Sequence, residues 1–244
     1  MVIKAIVFLL LIFQFGAASA RTLSMVSSEW PPFLGEGLKQ QGLLVAITRE
    51  VFALTRYQVD MSFAEWHQAV EQGKSGEHDI VVGAYLYADR EPFFIYSDPI
   101  YHEQACFHVI SASTLVSYDS VLDLKMFRIG YLKSAFVSDE FHQTFELDTW
   151  ESDTVEQGVS GLLTGQVDIY ASSVPVFHYT AEYLGYSRDH YRCLRPGLGT
   201  KQLRLMISRK TPGAERIIRE FNRALKALRD SGRYEQILND MGAW

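Results

Sequence analysis

Residues 79–99 read DIVVGAYLYADREPFFIYSDP. The run Ile80-Val81-Val82 is short, apolar and β-branched, as in a strand buried on both faces, and it stops at Gly83. A turn then sets one arginine, Arg90, among tyrosines, and the stretch closes on Tyr96-Ser97-Asp98-Pro99. Upstream, 22–27 reads as a strand, and 43–55 has helical periodicity with Leu44, Ile47, Val51 and Leu54 on one face. Residues 57–63 alternate as a strand, and 64–72 are helical. The order βαβαβ predicts a parallel sheet covered by helices on both faces.

Downstream the pattern resets. Residues 104–111 are β-rich and 113–120 are polar. A second α/β series follows, with a strand at 127–131, helices near 134–145 and 154–164, a strand at 167–171 and a helix after Pro175. A β-rich run at 202–208 leads into a helix starting near Pro212, a residue suited to a first turn. That helix would bury Ile217, Ile218, Phe221, Leu225 and Leu228 and stop at Gly232, before a short amphipathic tail at 234–241. Two α/β series joined by two extended crossings predict an α/β, two-lobed fold. Its discontinuous first lobe would be 21–106 plus 206–244, its second 107–205, with a two-strand hinge near 104–110 and 202–208. Open α/β sheets bind at the carboxyl ends of their strands, so the site is expected in the cleft between lobes, closing by hinge motion.

Residues 1–20 read as a signal peptide. Lys4 precedes an apolar run from Ala5 to Phe15, too short to span a bilayer, and Ala18-Ser19-Ala20 is a small-x-small cleavage site. The expectation is an exported, periplasmic chain cut near Ala20, with no cysteine there to carry a lipid. Cleavage removes Lys4, the one charge among those residues, so the net charge moves from −6 to −7. That is the wrong sign for nucleic acid or for anionic lipid. Cys106 and Cys193 are compatible with a disulfide in an oxidising compartment or with two buried thiols. No short paired histidine or cysteine spacing supports a metal site, and nothing points to a cofactor. Gly158-Val159-Ser160-Gly161 lacks the spacing of a nucleophile elbow, and Gly197-Leu198-Gly199 is too short for a dinucleotide loop.

Residues 79–99 resemble the D…G…T-x-x-R…F-S-x-P-Y stretch of periplasmic solute-binding proteins of the amino-acid ABC transporter type. Trp30-Pro31-Pro32-Phe33, Gly42, Phe63-x-x-Trp66, Gly165-x-Val167-Asp168 and Gly232-x-Tyr234 match as well, in order and over nearly the whole chain. The resemblance implies a type II periplasmic binding fold, the extracellular solute-binding family 3, a small-molecule ligand, a membrane ABC permease as partner, a monomer, and no catalysis. It also implies that Arg90 grips a ligand carboxylate, for which a planar guanidinium is suited; the plainer reading is a surface arginine paired with Asp89 or Glu91. Trp30 and Trp66 fall where the family sandwiches its ligand between aromatic rings, although tryptophans are commonly core residues.

The chain departs from the family at three places. Tyr85 stands where Ser or Thr helps hold the carboxylate, beside Gly83. After Gly130 the sequence runs Tyr131-Leu132-Lys133-Ser134 in place of a Gly-Thr pair, leaving Ser134 and a helix start to meet an anion and Lys133 as a solvated lysine or an added charge. Ser173 stands where an aspartate usually pairs with the ligand ammonium, so Glu29, Asp168 or another acid substitutes, or the ligand is not a standard α-amino acid. Glu65 is expected to point outward. Two further readings remain open at this level: a ligand-sensing partner of a membrane receptor, and a dehydratase-like enzyme using a cleft acid, with Glu29 as the candidate.

Overall fold

The computed structural model describes residues 21–133 and 135–242. The leader read at 1–20 and the site residue Ser134 lie outside the described residues. Strand β1 (Arg21–Ser27) pairs in parallel with β2 (Tyr57–Phe63) and with β3 (Ile80–Ala84), Met25 standing opposite both Met61 and Ile80. Helices α1 (Leu43–Ala53) and α2 (Trp66–Ser75) make the crossovers. The backbone at Gly42 has φ +99°, and an added Cβ would lie 2.4 Å from the Phe33 carbonyl oxygen, so only glycine fits before α1. The first amides of α1, Leu43 and Leu44, donate to the Pro32 and Phe33 carbonyls, which pins the loop carrying Trp30 to the helix start. Glu65 caps α2, accepting from the His67 and Gln68 amides, as its outward position requires.

Strands β5 (Tyr101–Ile110) and β10 (Gly199–Ser208) run antiparallel and pair with each other over Tyr101–Ala105 and Gly199–Leu203. Past Leu203, β10 joins β3 and the short β4 (Phe94–Tyr96). From Ala105 onward, β5 joins β8 (Ile169–Ser173) and β9 (Tyr191–Cys193). Beyond β8 lie β6 (Arg128–Leu132) and β7 (Asp148–Ser152), all three parallel. The order β2-β1-β3-β10-β5-β8-β6-β7 is therefore one curled ladder, and the two strand sets are joined through β5·β10 rather than separate. Helices α3 (Asp139–Gln143), α4 (Val155–Leu163) and α5 (Val174–Tyr183) accompany β6 to β8, and α6 (Ala214–Asp230) and α7 (Arg233–Asp240) return to pack near α1.

The buried residues follow that division. One cluster joins Leu23, Leu44, Ile47, Phe52 and Ile80 to Leu205, Phe221 and Leu225, with the Phe52 and Phe221 ring centroids 5.0 Å apart. Others gather Phe107, Ile129, Phe141 and Ile169, and Val159, Tyr170, Phe177 and Tyr191. Val176 of α5 crosses over to the first cluster. All five apolar residues expected on the inner face of α6 are buried. Each is worth about 1.5–3 kcal/mol of burial.

Several expected boundaries move. Helix α1 ends at Ala53, so Leu54 is outside it and 58% exposed rather than on the buried face. The helix expected near 134–145 is only Asp139–Gln143, capped by the Ser138 hydroxyl, and β7 follows where none was expected. Residues of β7 are mostly polar and exposed, as at a sheet edge, which hides the strand signal. The last long helix begins at Ala214 after a left-handed Gly213, not at Pro212. Both crossing strands begin three residues earlier than their apolar runs, at Tyr101 and Gly199. Cys106 and Cys193 are joined in a disulfide, with Cα atoms 5.7 Å apart, linking β5 to β9.

Candidate functional site

Two neighbouring cavities, of about 220 and 300 Å³, share Trp30 and Tyr85 as common wall. Trp30 is held by a tight turn in which its carbonyl accepts from the Phe33 and Leu34 amides at 2.9 and 3.0 Å. Its ring meets Phe33 and Tyr85 edge-on, at centroid distances of 4.8 and 6.1 Å. These edge contacts fix the indole between the cavities.

The 300 Å³ cavity holds the arginine. Ser27, Ser28, Trp66, Gly83, Tyr87 and Arg90 line it with the shared wall. Gly83 lies at φ +80°, and a Cβ there would stand 2.9 Å from Leu34 and 3.0 Å from Leu44, so the strand end must be glycine to turn into the site. Arg90 closes a short 3₁₀ turn, and its guanidinium lies 4.9 Å from the Tyr87 ring and 5.4 Å from the Trp66 ring. Among the described residues no carboxylate reaches ion-pair distance of Arg90, so it is not paired with Asp89 or Glu91. Trp66, Gly83 and Arg90 thus come together with Trp30 and Tyr85 around one space, and Trp66 is a cavity wall as well as a packing residue.

The 220 Å³ cavity lies toward β8 and α5. Its lining includes Glu103, Ala171, Ser173, Val176, Leu198 and Lys201, with Phe136 and Tyr170. Glu103, on β5, is only 3% exposed and takes a hydrogen bond from the Tyr85 hydroxyl. Burial pushes the Glu103 carboxyl up; the nearby Ser173 and Tyr85 hydroxyls and the Lys201 charge oppose that. The buried Ser173 hydroxyl lies beside Glu103 and does the most of the three to oppose that shift. The Tyr85 hydroxyl is pushed far up, by burial first and by Glu103 second, so it stays a donor.

The acids named from sequence are elsewhere. Glu29 is exposed and accepts from the Glu36 amide, and Asp168 is exposed and accepts from the Arg128 amide. Lys133 is exposed and lines neither cavity. Glu103 was missed, yet a signal for it exists. Strand alternation puts Tyr101, Glu103 and Ala105 on one face, and Tyr101 reads as an inward residue.

Residues 24–242 match the family described as bacterial extracellular solute-binding proteins, family 3. No curated protein sequence is significantly similar to the chain. Solved structures share the fold. The second substrate-binding domain of a putative amino acid ABC transporter from Streptococcus pneumoniae superposes with TM-score 0.73 at 16% identity, covering 90% of this chain and 98% of that one. Substrate-binding domain 2 of Lactococcus lactis GlnP, in an open conformation, gives 0.72 at 19% identity, covering 89% and 94%. A histidine kinase sensor domain similar to periplasmic binding proteins gives 0.68 at 16% identity, covering 91% and 96%. At these identities the likeness is one of fold. The mixed α/β architecture matches two-lobed periplasmic binding folds, and among the described residues no helix is long and apolar enough to cross a membrane.

Proposed function

We propose, since this chain belongs to the bacterial extracellular solute-binding proteins of family 3, that it captures a small carboxylate-bearing solute, an amino acid or a related compound, in the periplasm and delivers it to a membrane ABC permease. The observation that carries the reading is Arg90, set between the Trp66 and Tyr87 rings in a cavity, with no acid partner among the described residues. A ligand carboxylate would complete it by two parallel hydrogen bonds, while Trp30, Trp66 and Tyr85 hold a flat or apolar portion. The lobes are taken as 21–106 with 206–244 and 107–205, hinged where β5 and β10 change partners.

The test is a thermal-shift screen of amino acids, their des-amino analogues and dicarboxylates, followed by recovery of the bound compound. A ligand at 100 times its Kd stabilises the native state by about 2.7 kcal/mol, or roughly 5–10 °C for a chain of this size. The compound is expected back chemically unchanged. One observation favours a second reading: Glu103 is a buried acid whose proton affinity is raised, the environment of a general acid. A dehydrated or isomerised compound recovered from the screen would establish that reading instead.

A further inference from the structure

Cys106, His108 and Cys193 stand together on one face of the second strand set. Cys106 and His108 are two residues apart on β5, so their side chains leave the strand on the same side, and strand pairing puts Cys193 of β9 directly opposite His108. Two sulfurs and an imidazole nitrogen thus lie within 4.8 Å of one another. Cys106 and His108 are buried and Cys193 is half-buried, which leaves a way in from β9. None of the three lines either cavity described above. No local spacing in the sequence announces the group, because its third member arrives through the β5·β9 pairing.

The imidazole is set as a ligand. Its Nδ1 lies 3.3 Å from the Tyr170 carbonyl oxygen, which can only accept, so Nδ1 carries the proton and Nε2 keeps its lone pair. Nε2 is the ring nitrogen nearer Cys106, 3.5 Å from its Sγ. Phe177 stacks on the ring at 3.9 Å with an interplanar angle of 7° and holds its plane. A carbonyl behind one nitrogen and sulfur in front of the other is the arrangement that orients metal-binding histidines. Zinc–sulfur and zinc–nitrogen bonds of about 2.3 and 2.1 Å, set at a tetrahedral angle, separate the two ligand atoms by about 3.6 Å, which is the spacing His108 Nε2 already keeps from Cys106. The two sulfurs of such a site stand about 3.8 Å apart. With Cα atoms 5.7 Å apart, side-chain rotation reaches that spacing once the sulfurs are no longer bonded.

We infer that reduction of the Cys106–Cys193 disulfide uncovers a three-ligand site for a thiophilic d¹⁰ cation, zinc first, made by both thiolates and His108 Nε2. Two thiolates and an imidazole without a carboxylate select such an ion over magnesium or calcium. A dithiol supplies the two electrons: it reduces the protein disulfide to two thiols and is itself oxidised to its own disulfide. The ion then displaces both thiol protons to solvent and forms two bonds to sulfur and one to nitrogen, leaving a fourth position for water. Disulfide and ion are alternative clasps between β5 and β9, one for the oxidised chain and one for the reduced.

The test takes the full chain, reduced with dithiothreitol and freed of it without oxygen, and titrates it with Co²⁺ and then Zn²⁺ beside the oxidised protein. One equivalent of cobalt should give sulfur-to-cobalt charge-transfer absorption in the reduced protein, zinc should bleach it, and the oxidised protein should show neither. X-ray absorption at the zinc edge should find two sulfurs at about 2.3 Å and a nitrogen at about 2.0–2.1 Å. His108→Gln, which keeps both sulfurs, should bind zinc at least about tenfold more weakly than reduced wild type. The inference is overturned by a reduced wild type without the cobalt–sulfur band, by an equal response in the oxidised protein, by a zinc shell without sulfur, or by a His108→Gln protein that binds zinc as tightly. If the reduced chain loses its fold, zinc should restore the near-ultraviolet circular dichroism of the oxidised protein, and failure to restore it counts against the site as well.

Discussion

Arg90 is the residue on which binding should turn. Arg90→Ala is expected to weaken binding of the acid by about 2–5 kcal/mol, because a ligand carboxylate covered by Trp66 and Tyr87 would lose its desolvated partner. Arg90→Lys should also bind poorly, since a point charge cannot make the two-pronged contact; equal affinity in either variant, measured by calorimetry, removes Arg90 from the site. That Arg90 lies in this cavity was legible in sequence because its spacing to Gly83 and Ser97 matches the stretch the chain resembles. For Glu103 only strand alternation gave a signal, because its surroundings come from the β5·β10 and β5·β8 pairings, which bring together residues far apart in the chain. Two histidines carry a pH dependence. Burial, with His178 adding to it, pushes His108 down to about 3, and burial with Arg188 pushes His178 down to about 4. Both folded values lie below the unfolded value near 6.5, so their contribution is full above that pH. It is lost as pH falls from about 6.5 through 4 toward 3, while the unfolded chain takes up protons first. For fully buried His108 the loss between pH 7 and 5 is about 2 kcal/mol. Glu103, raised by burial, works with the opposite sign. The comparison is therefore urea unfolding of wild type and His108→Gln at both pH values; an equal pH slope in the two proteins contradicts the assignment.

At the scale of elements, the disulfide and one helix contact are the sharpest cases. The Cys106–Cys193 bond closes a separation of 87 residues, so Cys106→Ala/Cys193→Ala should lose about 2–5 kcal/mol in denaturant unfolding. A double variant as stable as wild type would mean that the β5·β9 pairing holds without it. Gly158 lets α4 lie against Tyr170: a Cβ there would stand 2.0 Å from that ring's hydroxyl end, where Tyr170 meets Ser152. Gly158→Ala is expected to lower stability by about 1–3 kcal/mol through overpacking, despite alanine's better helix propensity; a more stable variant contradicts that packing. These elements show which signals a sequence carries. The apolar stripe of α6 is periodic and was legible residue by residue. The shortened helix at Asp139–Gln143 and the polar edge strand β7 were not, because neither buries a regular face. The disulfide remained open because only the pairing of β5 with β9 brings the two cysteines together.

For the whole molecule, among the described residues the two strand sets pair only through β5·β10, and the 220 Å³ cavity takes its walls from both sides of that pair. Bending there would enclose a solute, so small-angle scattering should show a smaller radius of gyration on saturation with a compound that stabilises the protein. An unchanged radius argues against hinge closure. The alternation of strands and helices made the α/β class and the two crossings legible, but not that the crossing strands pair with each other and so make one continuous ladder of the two sets. The central claim, capture of a solute through its carboxylate, is tested most directly by one calorimetric comparison. The stabilising acid and its neutral amide are titrated side by side into the wild type. The acid should bind about 100-fold more tightly, the equivalent of roughly 2.7 kcal/mol for the Arg90 contact. Equal heats and affinities for acid and amide, or no binding of any acid, would contradict it.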